Sequence, residues 1–171
     1  MLASKKTTAY LFMAYLLLLT WGILFKFETR LEYITPFMNV RHINWMPFSD
    51  PLIVNGEVVF AEMVINLLFF IPLGVCLPLI KTEWSIWRMM ASGLFLSLLY
   101  ESLQFLLAIG MTDITDVLLN TSGVLLGLVI HYLFAKFLQT HARKWINIIG
   151  ILVVMPPFII LISLFILGLF H

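Results

Sequence analysis

The sequence predicts an all-α, polytopic membrane protein, a bundle of five transmembrane helices with a long extracellular loop between the first and second. Three observations carry that expectation. Of 171 residues, 62% are hydrophobic and only 11% are charged, where a soluble domain carries roughly 25% charged residues. Five stretches, 8–25, 61–80, 89–109, 116–137 and 146–170, approach the ~20 apolar residues that a bilayer crossing requires. The Lys and Arg residues also alternate in density between successive connections. Residues 1–171 are expected to form one membrane domain. A net charge of +1 offers no basic field for nucleic acid, and the lone Cys76 excludes a disulfide framework.

The first stretch is longer than a signal-peptide core and lacks a small-residue cleavage site, so it is expected to stay as a helix. Placing the N-terminus in the cytoplasm puts Lys5, Lys6, Lys81, Arg88, Lys136, Arg143 and Lys144 inside. Only Lys26, Arg30 and Arg41 then lie outside, all in the first loop, which satisfies the positive-inside rule. The C-terminus is then extracellular. Trp21, Trp84, Trp87 and Trp145 fall near span ends, where interfacial anchors belong. The long loop mixes charges with Tyr33, Trp45 and Phe48, and Pro36, Pro47 and Pro51 break any long helix in it. A connection of that length is uncommon unless it has a function.

The second span carries Glu62 and Asn66, four apart and hence on one face; Pro72 and Pro78 follow, with an expected kink or tilt. In the third, Ser97, Glu101 and Gln104 form one stripe. Counting from Gly110 places Glu101 about 13 Å below the outer end, near the midplane. A carboxylate there is costly and points to function. The fourth span opens on Gly-Met-Thr-Asp-Ile-Thr-Asp, and Asp113, Asp116, Asn120, Gly123 and Gly127 recur at three- and four-residue steps, as on one helix face. Gly123 and Gly127 form a small-xxx-small pattern that lets another helix approach closely. The fifth span has Pro156-Pro157 at its centre and no ionisable residue.

The polar residues of spans two to four all fall in their outer halves. They are therefore expected to enclose one acidic pocket that opens outward under the first loop, with Arg41 or Arg30 as counter-ion. Several of these residues have a structural reading as well. Asp113 serves equally as a helix cap, and Asn66 and Asn120 as interhelical hydrogen-bonding ties. Glu62 fits a solvated rim, and Trp45 and Phe48 fit membrane-surface anchors better than ligand platforms. The four His residues lack metal spacing, and no His reaches a Ser or Thr hydroxyl by topology, so a Ser–His nucleophile has no support.

Four pieces carry a family resemblance: Asn44-Trp-Met-Pro47-Phe48; Asn66-Leu-Leu-Phe-Phe-Ile-Pro72-Leu-Gly74; Ser97-Leu-Leu-Tyr-Glu101-Ser-Leu-Gln104; and Thr112-Asp113-Ile-Thr-Asp116-Val-Leu-Leu-Asn120-Thr121-Ser-Gly123. In that order, over about residues 41–128, the chain resembles the VanZ-like family. The resemblance implies a bacterial envelope membrane protein associated with low-level resistance to the glycopeptide teicoplanin. It maps the family's recurrent positions onto Arg41, Asn44, Pro47, Phe48, Asn66, Pro72, Gly74, Glu101, Gln104, Asp113, Asp116, Asn120 and Gly123.

The expected function is thus binding. The pocket, formed by Asn66, Glu101, Gln104, Asp113, Asp116 and Asn120 with Arg41, Asn44, Trp45 and Phe48 from the loop, would receive an envelope lipid, a glycan or a lipoglycopeptide component. The alternative is an envelope enzyme acting on a lipid-linked or glycan substrate, with Glu101 and Asp116 as general acid and base. No cofactor is expected. A hard divalent cation at Glu101, Asp113 and Asp116 is the minor reading, and a transporter is weaker still because the polarity stops halfway through the bundle.

Overall fold

A computed structural model describes residues 2–25, 43–49, 53–54, 57–58, 60–109 and 112–167. Among them run the helices α1 (Lys5–Phe25), α2 (Ala61–Ile80), α3 (Ile86–Leu107), α4 (Ile114–Leu138) and α5 (Ala142–Ile166). Four two-residue strands accompany them: β1 (Ile43–Asn44), β2 (Ile53–Val54), β3 (Glu57–Val58) and β4 (Thr112–Asp113). β2 and β3 form an antiparallel pair. β1 and β4 pair in parallel, Ile43 opposite Thr112 and Asn44 opposite Asp113.

The all-helical, membrane-spanning class holds. Four continuous stretches are long and apolar enough to cross a membrane: Lys5–Phe25, Met63–Ile80, Ile86–Leu107 and Ile114–Ile166. The last of these contains α4 and α5, separated by a 3-10 turn at Gln139–His141. Helices start earlier than expected where a side chain caps them. Ser85 accepts the Arg88 N–H, so α3 begins at Ile86 rather than residue 89. Asp113 accepts the Thr115 N–H, so α4 begins at Ile114 rather than residue 116. α2 runs through Pro72 and Pro78, and α5 through Pro156 and Pro157.

Cross-helix contacts give each helix its direction. Gly123 meets Leu67 and Phe70 while Gly127 meets Ile71 and Gly74, so α2 and α4 run parallel. Thr20 bonds Tyr100 at 2.9 Å and Gln104 Nε2 donates to the Ile23 carbonyl at 3.0 Å, which aligns α1 with α3. Thr8 donates to Asn147 Oδ1 at 2.9 Å, and Leu11 lies against Gly150, which aligns α5 with α1. Arg143 at the start of α5 donates to the Leu79 carbonyl at the end of α2, at 3.1 Å, so those two are antiparallel. Successive helices therefore alternate. Lys5, Lys6, Lys81, Arg88, Lys136, Arg143 and Lys144 gather at one end, where Glu83 is the sole acidic residue among those described.

The α2–α4 seam is the most intimate contact in the bundle. A Cβ at Gly74 would overlap the Val124 carbonyl, and one at Gly127 would overlap the Ile71 carbonyl. Only glycine permits this backbone-to-backbone approach, as the small-residue spacing of α4 predicts. Phe70 fills the seam with no exposed surface and meets Tyr100 edge-on, ring centres 6.4 Å apart. Leu19 and Ile23 of α1 close the same core with Leu73, Leu77, Val124 and Leu128. Outward-facing positions such as Phe95, Leu106, Phe137, Leu152 and Phe165 stay exposed and apolar. That is the surface a lipid solvent requires.

Candidate functional site

At the end opposite the basic cluster, α3 stops when Ala108 turns left-handed (φ 53°) and its N–H closes on the Gln104 and Phe105 carbonyls. The chain then folds back. The Thr112 hydroxyl donates to the Glu101 carbonyl at 3.2 Å, and the Asp113 N–H donates to Glu101 Oε2 at 3.1 Å. Glu101 is 3% exposed. It lies six residues, or about 9 Å, from the end of α3 at Leu107. A backbone N–H delivered to the carboxylate offsets part of the cost of burying it.

Asp113 lies outside α4 rather than on its face. Its backbone is extended (φ −124°, ψ 127°) and its Oδ1 accepts the Thr115 N–H at 2.7 Å. The capping reading of Asp113 therefore holds. Its Oδ2 accepts from Asn44 Nδ2 at 3.2 Å. Asn44, itself buried, accepts the Met46 N–H at 3.0 Å and the Ser49 hydroxyl at 2.9 Å through Oδ1. Thr115 Oγ1 accepts the Phe48 N–H at 3.0 Å, which holds Phe48 at φ 59°, a conformation that bulky residues avoid. Asn44 and Asp113 thus staple the loop to the start of α4. Trp45, Met46 and Phe48 are left outside, 75%, 68% and 57% exposed.

A cleft of about 380 Å³ lies under this staple, between the loop and the adjoining ends of α3 and α4. Glu101, Asp113, Asn44 and Trp45 line its polar side; Phe105, Val117, Leu98 and Leu106 line the rest. Leu98, Ser102 and Leu106 are exposed on the outer surface of α3, so the mouth opens sideways out of the bundle. The pocket expected from sequence was acidic. The cleft is mostly apolar; one Glu101 oxygen and both Asp113 oxygens accept from backbone N–H groups and Asn44.

The remaining candidates lie elsewhere. Asn120 has no exposed surface and ties α4 to α3, its Nδ2 donating to Ser97 Oγ at 2.9 Å. Gln104 ties α3 to α1 through Ile23. Asn66 is buried on α2, and the Phe70–Gly123 and Gly74–Gly127 register sets it level with Asn120 in the α2–α4 seam. Asp116 is half-buried in the first turn of α4, outside the cleft lining. Phe48 belongs to the stapled loop but not to the lining. Arg41, Arg30 and the side chain of Glu62 lie outside the described residues. Among the described residues, no three His, Cys, Asp or Glu side chains gather as a metal site would require. Ser49 and Thr115 are the partners that sequence reasoning missed. Their signal is weak, an Asn shortly before a Pro-containing turn and a Thr just inside a helix.

A VanZ/LLP1 family model matches residues 12–135, which takes in most of α1 as well as every element of the cleft. Protein VanZ of Enterococcus faecium is 37% identical over 139 residues, covering 81% of this chain and 82% of that protein. No solved structure matches the chain. With a family match over most of its length and a relative of that identity, the chain belongs to the VanZ/LLP1 family.

Proposed function

We propose that this protein is a five-span bacterial envelope protein that lowers susceptibility to teicoplanin by binding an amphiphilic envelope or lipoglycopeptide component in the lateral cleft. The 53-residue stretch Ile114–Ile166 would be about 80 Å long as one helix, far beyond a ~30 Å hydrocarbon core. Two antiparallel crossings by α4 and α5 resolve that excess. The clustering of seven basic residues at one end supports a cytoplasmic placement of that end under the positive-inside rule. The N-terminus is then cytoplasmic, the C-terminus extracellular, and the cleft faces the outer leaflet.

One observation carries the binding reading: the cleft joins a polar floor at Glu101, Asp113 and Asn44 to apolar walls that open towards lipid. That pairing suits a ligand with a polar head and a hydrocarbon tail, whether an envelope lipid, a lipid-linked glycan or an acylated antibiotic. The enzyme reading needs Glu101 and Asp116 at one substrate, and Asp116 is not among the cleft residues.

The test compares teicoplanin and vancomycin susceptibility in cells producing Glu101→Gln or Asp116→Asn at matched membrane levels. Gln retains an oxygen for the Asp113 N–H, so E101Q replaces the carboxyl group without releasing the loop. The expected result is loss of teicoplanin protection with E101Q and retention with D116N. Equal loss with both favours the acid–base pair, and retention with E101Q rejects the cleft.

A further inference from the structure

A second cavity, of about 250 Å³, lies in the half of the bundle nearer the basic end, between α5 and the α1, α2 and α4 helices. Its walls are almost wholly apolar, with Pro72 and Val75 of α2 facing Ile146 and Gly150 of α5. The polar groups there are already engaged: Thr8 donates to Asn147 Oδ1, and the Tyr15 hydroxyl donates to the Phe69 carbonyl at 2.7 Å. Ile149 and Val153, at one edge, are 44% and 60% exposed, so the slot opens sideways to hydrocarbon. An apolar cavity of this kind excludes water and takes hydrocarbon.

The end of the slot has a different chemistry. Arg143 lies one turn before Ile146 on α5, and His131 directly follows Ile130 of the slot wall on α4. The guanidinium spans the seam to α2, where Nη2 donates to the Leu79 carbonyl at 3.1 Å. Its Nη1 is buried without an acceptor among the described residues. A buried guanidinium nitrogen without an acceptor is expensive. The group that meets it best is an anionic oxygen, and phosphate suits the guanidinium fork. Lys5, Lys6 and Lys144 lie at the same end of the bundle and add positive charge there.

We infer that this seam is a binding site for an anionic phospholipid, its phosphate on Arg143 and one acyl chain in the slot between α5 and α2. The site is separate from the outer cleft and on the opposite face of the membrane, where basic residues near the surface attract anionic headgroups. The leaflet rests on the orientation proposed above; the binding does not, and a measurement in detergent separates the two.

Native mass spectrometry of the full chain, titrated with dioleoyl phosphatidylglycerol or dioleoyl phosphatidylcholine, reads the site directly. The wild-type protein is expected to retain one phosphatidylglycerol in preference to phosphatidylcholine. Arg143→Gln should weaken that lipid by about tenfold or more, the scale of one charge-assisted hydrogen bond. Lys144→Gln, the same charge change on an exposed neighbour, should leave the preference in place. Gly150→Leu tests the tail: a Cβ there only touches Leu11 Cδ1 at 3.4 Å, so the larger side chain extends into the slot and should displace both lipids. Absence of a headgroup preference, equal weakening by R143Q and K144Q, or unchanged retention in G150L would each overturn the site.

Discussion

Gly127→Leu should abolish recovery of folded, monodisperse protein from detergent, measured by size-exclusion chromatography and thermal unfolding against Gly150→Ala. The Gly127 Cα lies 2.9 Å from where a Cβ on Gly74 would sit, and the atoms opposite are backbone, not flexible side-chain ends. Overpacking a yielding core costs about 1–3 kcal/mol. Here α2 and α4 must separate along the seam that buries Phe70 and Val124, so the loss should exceed that range. Gly150→Ala meets only Leu11 Cδ1 at ordinary contact distance and should behave as wild type. If G127L is recovered with an unchanged unfolding temperature, the α2–α4 seam is not the centre of the fold.

Asn44→Ala should release the segment 43–49 from α4 while leaving the helices intact. The side chain makes three hydrogen bonds, to the Met46 N–H, the Ser49 hydroxyl and Asp113 Oδ2. At about 1 kcal/mol each, with some partners then left unpaired, the local loss is about 2–4 kcal/mol. Amide exchange at residues 43–49 and 112–115 should quicken on the order of a hundredfold. Exchange in the α2–α4 seam should not change. Uniform acceleration across the chain would mean that the loop is part of the global folding unit instead of a separate clasp.

What the sequence made legible follows from what local spacing can encode. Gly123 and Gly127 announced a close helix contact because a four-residue step is a helix property, and the Gly74 seam answers it. Asp113 was readable as a cap for the same local reason. Asn120 was readable as a tie, although its partner Ser97 lies on another helix. The pairing of Ile43–Asn44 with Thr112–Asp113 was not readable. A two-residue strand has no periodicity, and its partner is nearly seventy residues away. That pairing brings Asn44 to Asp113 and lowers the α3–α4 connection onto Glu101.

The character of the expected pocket was illegible for the same reason. Spacing placed Glu101, Asp113, Asp116 and Asn120 in one half of the bundle but said nothing about what each oxygen accepts. Glu101 and Asp113 accept backbone N–H groups, while Asn120 and Gln104 turn into helix seams. The cleft takes its shape from Leu98, Leu106 and Trp45, which as single residues look like ordinary lipid-facing surface. Arg143 was visible only as an orienting charge; its contact with the Leu79 carbonyl depends on α5 returning beside α2.

The most direct test of the lateral cleft is to fill it. Leu98→Trp places an indole in the cleft from the exposed side of α3, and Leu68→Trp places the same group on an exposed position of α2 outside the lining. With both variants at wild-type membrane levels, teicoplanin susceptibility is the readout. The account predicts that L98W removes protection and L68W preserves it; protection undiminished in L98W contradicts it.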